Sequence, residues 1–306
     1  MFVAAHAADL DSQWKTLNLL LAWVPPVLGG FAFFALGGAF YQSPIVGPAR
    51  AVEIGFSLGS GVISLLAVLP WFANGLVAAM FRTAIPSHTL RLATRLSLLC
   101  ILLAVPGWFA FRYLLEDLFQ DPQPLLEHAS LGTGLIGYVA LAFASVGFLV
   151  RRTWRETLAR LDLVRLTPAH LGIVFVGLLA LTGLNIGADW MQHAFLPELW
   201  ESDQRINEAL AKDLGLGMIL LLGLSAGIGE EITLRGALQP KLGIFLTSLL
   251  FAALHVQYSW FGMLVILALG ALLGVIRKHA STTAAIAVHV LYDILAVFAV
   301  TSARTP

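Results

Sequence analysis

Apolar runs of membrane-spanning character recur along this chain, at 17–40, 55–81, 90–111, 131–150, 168–186, 214–238, 242–256, 261–276 and 282–301. A hydrocarbon core about 30 Å thick is crossed by about 20 helical residues. Nothing in that core can hydrogen-bond an open backbone, so each run satisfies its own N–H and C=O groups as a helix. The expectation is an all-α polytopic membrane protein with eight or nine transmembrane helices. The lower count applies if the sixth and seventh runs are one broken unit. Composition points the same way. Of 306 residues, 58% are hydrophobic and 12% charged, about half of the roughly 25% charged residues in a soluble domain. Mean hydropathy is +0.85. Too few charges exist to wrap so large an apolar core in water.

Net charge is zero, with 18 basic and 18 acidic residues, so no basic field argues for a nucleic-acid partner. The single cysteine, Cys100, rules out an intramolecular disulfide and reads as a small buried hydrophobe. Residues 1–16 place Asp9 and Asp11 against Lys15, and the run that follows is too long for a signal h-region. Pro25 and Pro26 are expected to kink that run. With nine spans, thirteen basic residues fall on the side of the N-terminus and five on the other. The positive-inside rule then places the N-terminus in the cytoplasm. The Ala-, Leu- and Arg-rich composition suggests a bacterial inner (cell) membrane.

Two loops have helical patterns of their own. In 151–165, Trp154, Leu158 and Leu161 face away from several arginines, as in a short helix lying in the cytoplasmic headgroup layer. Residues 187–213 are acidic, carry Trp190, Phe195 and Trp200, and read as a second surface helix.

An ionisable side chain at the centre of a spanning helix costs about 2.5–3.5 kcal/mol on insertion scales. The first five runs largely avoid that cost; the last four do not. Glu231 and Arg235 are i and i+4, so they can pair on one face. Glu230 is rotated about 100° away and is free to point into a cavity. Phe251 stands one turn before His255, and His289 one turn before Asp293. Each pattern alone has a plain reading: an interfacial ion pair, a histidine at a helix end, a helix–helix hydrogen bond. Counted at about 1.5 Å per residue from their cytoplasmic anchors, the three groups lie about 10–18 Å deep. They can therefore meet in one band within the membrane.

Together, Glu230-Glu231-x-x-x-Arg235, Phe251-x-x-x-His255 and His289-x-x-x-Asp293 resemble the CPBP (ABI) family of intramembrane proteases, which includes the CAAX prenyl endopeptidases and bacteriocin-immunity proteins. The resemblance covers roughly residues 170–301. It implies a helical protease core at 166–306, preceded by about four helices and the interfacial helix in 1–165. It also implies roles. Glu230 would be the general base, and His255 would help to hold and activate water. His289 and residue 293 would stabilise the oxyanion, with Glu231 and Arg235 bracing the site. The substrate would be a membrane-associated peptide or protein cleaved near the cytoplasmic face, with the lipid bilayer as the other partner.

One position departs from the prenyl-protease pattern, which commonly has Asn where this chain has Asp293. An ionised Asp cannot donate to an oxyanion. Asp293 is therefore either protonated or orients and charges His289. Members of the family are often labelled metalloproteases, and Glu230, His255 and His289 would be the zinc ligands if a metal is used. No His-Glu-x-x-His helix occurs, so water activated without a cofactor is the preferred expectation and zinc the alternative. Gly223-Leu-Ser225-Ala-Gly227 matches the serine-hydrolase elbow, but that elbow needs a strand-to-helix turn. Ser225 and its glycines are read as helix packing. Two rival functions stand beside the protease: a catalytically silent scaffold of the same fold, and a proton- or cation-coupled transporter.

Overall fold

A computed structural model describes residues 1–42, 48–81, 87–113, 128–212 and 214–302. The described chain is helical. The helices are α1 (Phe2–Leu10), α2 (Lys15–Gln42), α3 (Pro48–Leu66), α4 (Pro70–Phe81), α5 (His88–Tyr113), α6 (His128–Ser145), α7 (Trp154–Arg160), α8 (Pro168–Phe195), α9 (Pro197–Ala211), α10 (Leu216–Glu231), α11 (Gln239–Ala253), α12 (Trp260–His279) and α13 (Thr282–Ser302). A π-helical segment, Ile232–Leu238, joins α10 to α11.

Among the described residues, six helices are long and apolar enough to cross a membrane, or up to seven if the bent pair α3–α4 counts as one span. The eight or nine expected from the sequence is an overcount, and two features explain it. The apolar part of α6, Ser130–Ser145, is shorter than a full span. The runs 214–238 and 242–256 are joined in one helical stretch, Leu216–Ala253. Pro240 does not end that stretch: the Gly236 carbonyl, which loses its i+4 donor there, accepts instead from Arg160 of α7 at 3.0 Å. Helical geometry is interrupted instead at Gly243, with φ 78° and ψ 175°. Apolar side chains such as Leu28, Phe31, Phe175 and Val176 stand exposed on long helices, as a lipid environment allows.

The chain divides into two compact units. The first comprises Met1–Glu116 and Gly147–Arg152; the second comprises Asp117–Val146 and Thr153–Pro306. In the first, α3 and α4 meet at a bend of 101°. Such a break exposes main-chain carbonyls, and Arg95 covers them. Counted as a loop residue in the charge balance, Arg95 is in fact buried within α5. Its guanidinium donates to Ala67 O at 2.8 Å and Val68 O at 3.3 Å at the bend. It also donates to Ala22 O at 3.2 Å, the carbonyl left without an i+4 donor by Pro26. The two prolines lie inside a continuous α2. Arg82 and Arg304, also part of that balance, lie outside the described residues.

Asp9 ties α1 to the start of α5. Its carboxylate accepts from His88 N at 2.7 Å and Thr89 Oγ1 at 2.7 Å, with Arg151 at 3.5 Å. Burial pushes this carboxyl up, but the Thr89 and His88 hydrogen bonds and Arg151 outweigh it. The net effect holds the group below its ordinary 3.8.

In the second unit, α8, α12 and α13 enclose a core of Val174, Leu181, Leu269, Leu273, Ile276, Ala284, Ala285 and Val288. The glycines of α10 work as expected from their spacing. A Cβ at Gly227 would lie 2.8 Å from Val290 N, and one at Gly223 2.8 Å from Ile294 Cγ1, so α10 and α13 touch through their backbones. Ser225 donates to Leu131 O at 2.8 Å, a packing bond to α6. Helix α7 forms within 151–165 and opens with a Thr153–Glu156 capping box. It belongs with the second unit, as does α6.

Candidate active site

The first and third motifs are joined directly. Glu231 Oε1 lies 3.0 Å from His289 Nδ1, across α10 and α13. Its other oxygen, Oε2, is 3.3 Å from Arg235 Nε, and both side chains are fully buried. This i, i+4 pair is a charge contact without hydrogen-bond geometry. Arg235 is anchored by donation to Gly270 O at 3.0 Å. Gly270 has a steric reason to be glycine: a Cβ there would sit 3.2 Å from Arg235 Nη2 and 2.9 Å from Phe251 Cδ1.

Phe251 brings in the second motif. The Arg235 guanidinium lies 4.7 Å from its ring centroid, a cation–π arrangement. The same ring is 4.8 Å from the His255 ring and meets the His289 ring edge-on at 5.7 Å. Phe251 is thus the hub through which the motifs touch, a larger part than its spacing foretold.

The protonation of His255 follows from its partner. Nδ1 is 2.7 Å from Phe251 O, and a carbonyl only accepts. Nδ1 therefore carries a proton, and in the neutral tautomer this leaves the Nε2 lone pair for another group. At His289 both nitrogens face carboxylates, Glu231 at Nδ1 and Asp293 at Nε2, the latter at 3.4 Å.

Exposure sorts the residues into two sets. Glu231, Arg235, Phe251 and His289 are buried, while Glu230, His255 and Asp293 are half-buried. Glu230 Oε2 is itself buried and has no hydrogen-bond partner among the described residues. No hydrogen bond links Glu230 to His255. A buried carboxylate oxygen without a donor is costly, which sets Glu230 apart from the hydrogen-bonded Glu231–His289 pair beside it.

The conditional zinc set fits poorly. Among the described residues, no three His, Cys, Asp or Glu side chains converge as ligands. Both His289 nitrogens are already engaged, so only His255 Nε2 remains as an imidazole donor.

Two contributions escaped the sequence reading. The π segment buries Ile232–Ala237 without an exposed stripe, and Arg160 of α7 donates to its Gly236 and Ala237 carbonyls at 3.0 and 3.2 Å. A π turn has no compositional signature, though such turns are frequent at functional sites. The second is Asp203, whose acidic surface helix looked solvated from its sequence.

With this geometry in view, similarity to known proteins is informative. Residues 212–295 match the family described as "Type II CAAX prenyl endopeptidase Rce1-like". The match supports the CPBP/CAAX protease family and a CAAX-protease-type function. The uncharacterized protein YpbD of Bacillus subtilis (strain 168) is 27% identical over 142 residues, covering 46% of this chain and 72% of that protein. No solved structure matches the chain.

Proposed function

We propose that this protein is an intramembrane endopeptidase that hydrolyses a peptide bond of a membrane-associated substrate near the cytoplasmic face, with the N-terminus of the enzyme in the cytoplasm of a bacterial cell. The observation that carries this reading is the convergence of three sequence-distant motifs through Glu231, Phe251 and His289, beside a carboxylate, Glu230, with an unpartnered oxygen.

Glu230 takes the proton of the attacking water, and the lone pair on His255 Nε2 holds that water's second hydrogen. As the carbonyl oxygen becomes an oxyanion, the His289 Nε2–H turns from its long contact with Asp293 to donate to it. A donor of this kind contributes about 2.7–4 kcal/mol to the transition state. Asp293 keeps the imidazole charged and aimed, which accounts for an Asp where the prenyl proteases commonly have Asn. Glu231 fixes the other ring nitrogen, and Arg235 balances Glu231. The proton then passes from Glu230 to the departing amine. No metal takes part in this scheme.

The test compares new protein termini in membranes of cells carrying the wild type or Glu230→Gln at matched abundance. Loss of base catalysis costs about 10²–10⁴-fold, so wild-type-specific termini should vanish in the variant. Identical termini from two folded, abundant proteins would overturn the reading in favour of a silent scaffold.

A further inference from the structure

His255 opens the segment that links α11 to α12, and that segment is held from outside the motifs. Its own bonds are few: His255 N donates to Ala252 O at 3.0 Å and Tyr258 N to His255 O at 3.2 Å. Its far end is gripped by α9. Asp203 Oδ1 accepts from Ser259 N at 2.6 Å, and Oδ2 accepts from Ser259 Oγ at 2.7 Å. Gln192 of α8 donates to the same Oδ2 at 2.7 Å. One turn on, Asn207 Oδ1 accepts from the Tyr258 hydroxyl at 3.0 Å. Asp203, Gln192 and Ser259 are all buried.

The arrangement is a built one. Ser259 is the N-cap of α12, its Oγ accepting from Gly262 N at 3.1 Å. The Asp203 carboxylate therefore sits at the positive end of a 20-residue helix. Gly262 leaves it room: a Cβ there would lie 2.7 Å from Asp203 Oδ2. A carboxylate removed from water is stable only with its lone pairs satisfied, and three donors supply that here. The cost of burying it on an otherwise polar surface helix needs a return, and the return is a fixed position for the four residues that follow His255.

We infer that Asp203, assisted by Asn207, is a positioning residue for His255: by clamping Tyr258 and Ser259 it holds the linker, and with it the direction of His255 Nε2, while touching no reacting atom. This rests on the peptidase reading above. Burial, with Asp203 and Asp293 nearby, pushes the Tyr258 phenol above its ordinary range, so the clamp keeps a neutral hydroxyl donor. A displacement of about 1 Å in a catalytic group can cost about 100-fold in rate.

The experiment uses the full chain in lipid nanodiscs, with Asp203→Ala, Asp203→Asn and the milder Asn207→Ala. Peptidase kinetics are measured on a peptide spanning a cleavage site identified from the wild-type termini. In parallel, ¹⁵N-histidine spectra are recorded with the His255 signals assigned through His255→Gln. The wild type should show His255 protonated at Nδ1 only. Asp203→Ala should lower kcat about 100-fold with KM nearly unchanged and mix the His255 tautomers. Asp203→Asn, which keeps an acceptor for Ser259 N, should recover part of kcat. Asn207→Ala, which removes one contact, should fall between that variant and the wild type. Unchanged His255 signals in every folded variant would overturn the inference, as would a loss confined to KM. If the wild type cleaves nothing but its His255 signals respond to Asp203, the clamp stands and the peptidase reading falls.

Discussion

In the first unit the buried guanidinium of Arg95 goes to three main-chain carbonyls, whereas in the second that of Arg235 faces a carboxylate, an aromatic ring and one carbonyl. Asp9 extends the contrast, since backbone N–H groups and a threonine saturate it. Glu230 is left with an orphaned oxygen. Charge that answers to the backbone repairs a defect of the fold, such as a proline or a sharp bend. Charge that answers to other titratable groups, with valence left over, is available for chemistry. Glu53 in α3 tests the contrast, because it too is buried with no hydrogen bond among the described residues, yet the charge that acts on it is Arg50 rather than a histidine or carboxylate motif.

The largest effect should come from splitting the second unit's network. Arg235→Ala leaves the buried Glu231 with His289 as its remaining partner among the described residues, and should lower stability by about 3 kcal/mol and abolish cleavage. Thermal unfolding in nanodiscs and the termini assay check the two losses. Replacing the pair together, Glu231→Gln with Arg235→Met, should restore most of the stability but not the activity. If activity returned as well, the network would be structural and the contrast would collapse.

Arg95→Ala should cost about 3 kcal/mol by stranding carbonyls at the α3–α4 bend and beside Pro26. The surviving folded fraction should keep its kcat, measured per folded molecule. A changed kcat would mean that the first unit takes part in catalysis.

Gly227→Ala brings a methyl against the Val290 backbone and should destabilise by about 1–3 kcal/mol, as read by denaturant midpoint. The smallest effect concerns pH. The folded Asp9 carboxyl is held below its ordinary 3.8, so its contribution is complete above that value. It fades as pH falls through the lower folded value. The stability difference between wild type and Asp9→Asn should therefore shrink on acidification below pH 4, and a constant difference would break the assignment.

The sequence made much of this legible for identifiable reasons. Glu230, Glu231, Arg235, Phe251, His255, His289 and Asp293 stood out because charge and imidazole are rare in apolar runs, and i, i+4 spacing says which share a helix face. Gly223 and Gly227 announced a close helix contact. Other features had no local signal. Pro70, at the first turn of α4, does not reveal that its helix leaves α3 at 101°. Arg95 looked like a loop cation until its carbonyl partners, distant in sequence, were in place. Asp203 lies on an amphipathic helix whose polar face reads as solvated, and only Gln192 and Ser259 reveal that it is buried. The span overcount has the same root: Gln239, Pro240 and Lys241 look like a loop, yet the helix runs through them.

The enclosure of the π segment has a consequence for motion. Most helices leave one stripe to lipid or water, but Ile232–Ala237 is surrounded on every side, so it cannot slide or tilt without disturbing all its neighbours at once. It acts as a fixed axle for the carboxylate end of the site. The 254–259 linker is held by a few side-chain hydrogen bonds and is partly open. The two sides of the candidate site are thus held by different means: enclosure on the Glu231–His289 side, and the Asp203 and Asn207 hydrogen bonds on the His255 side.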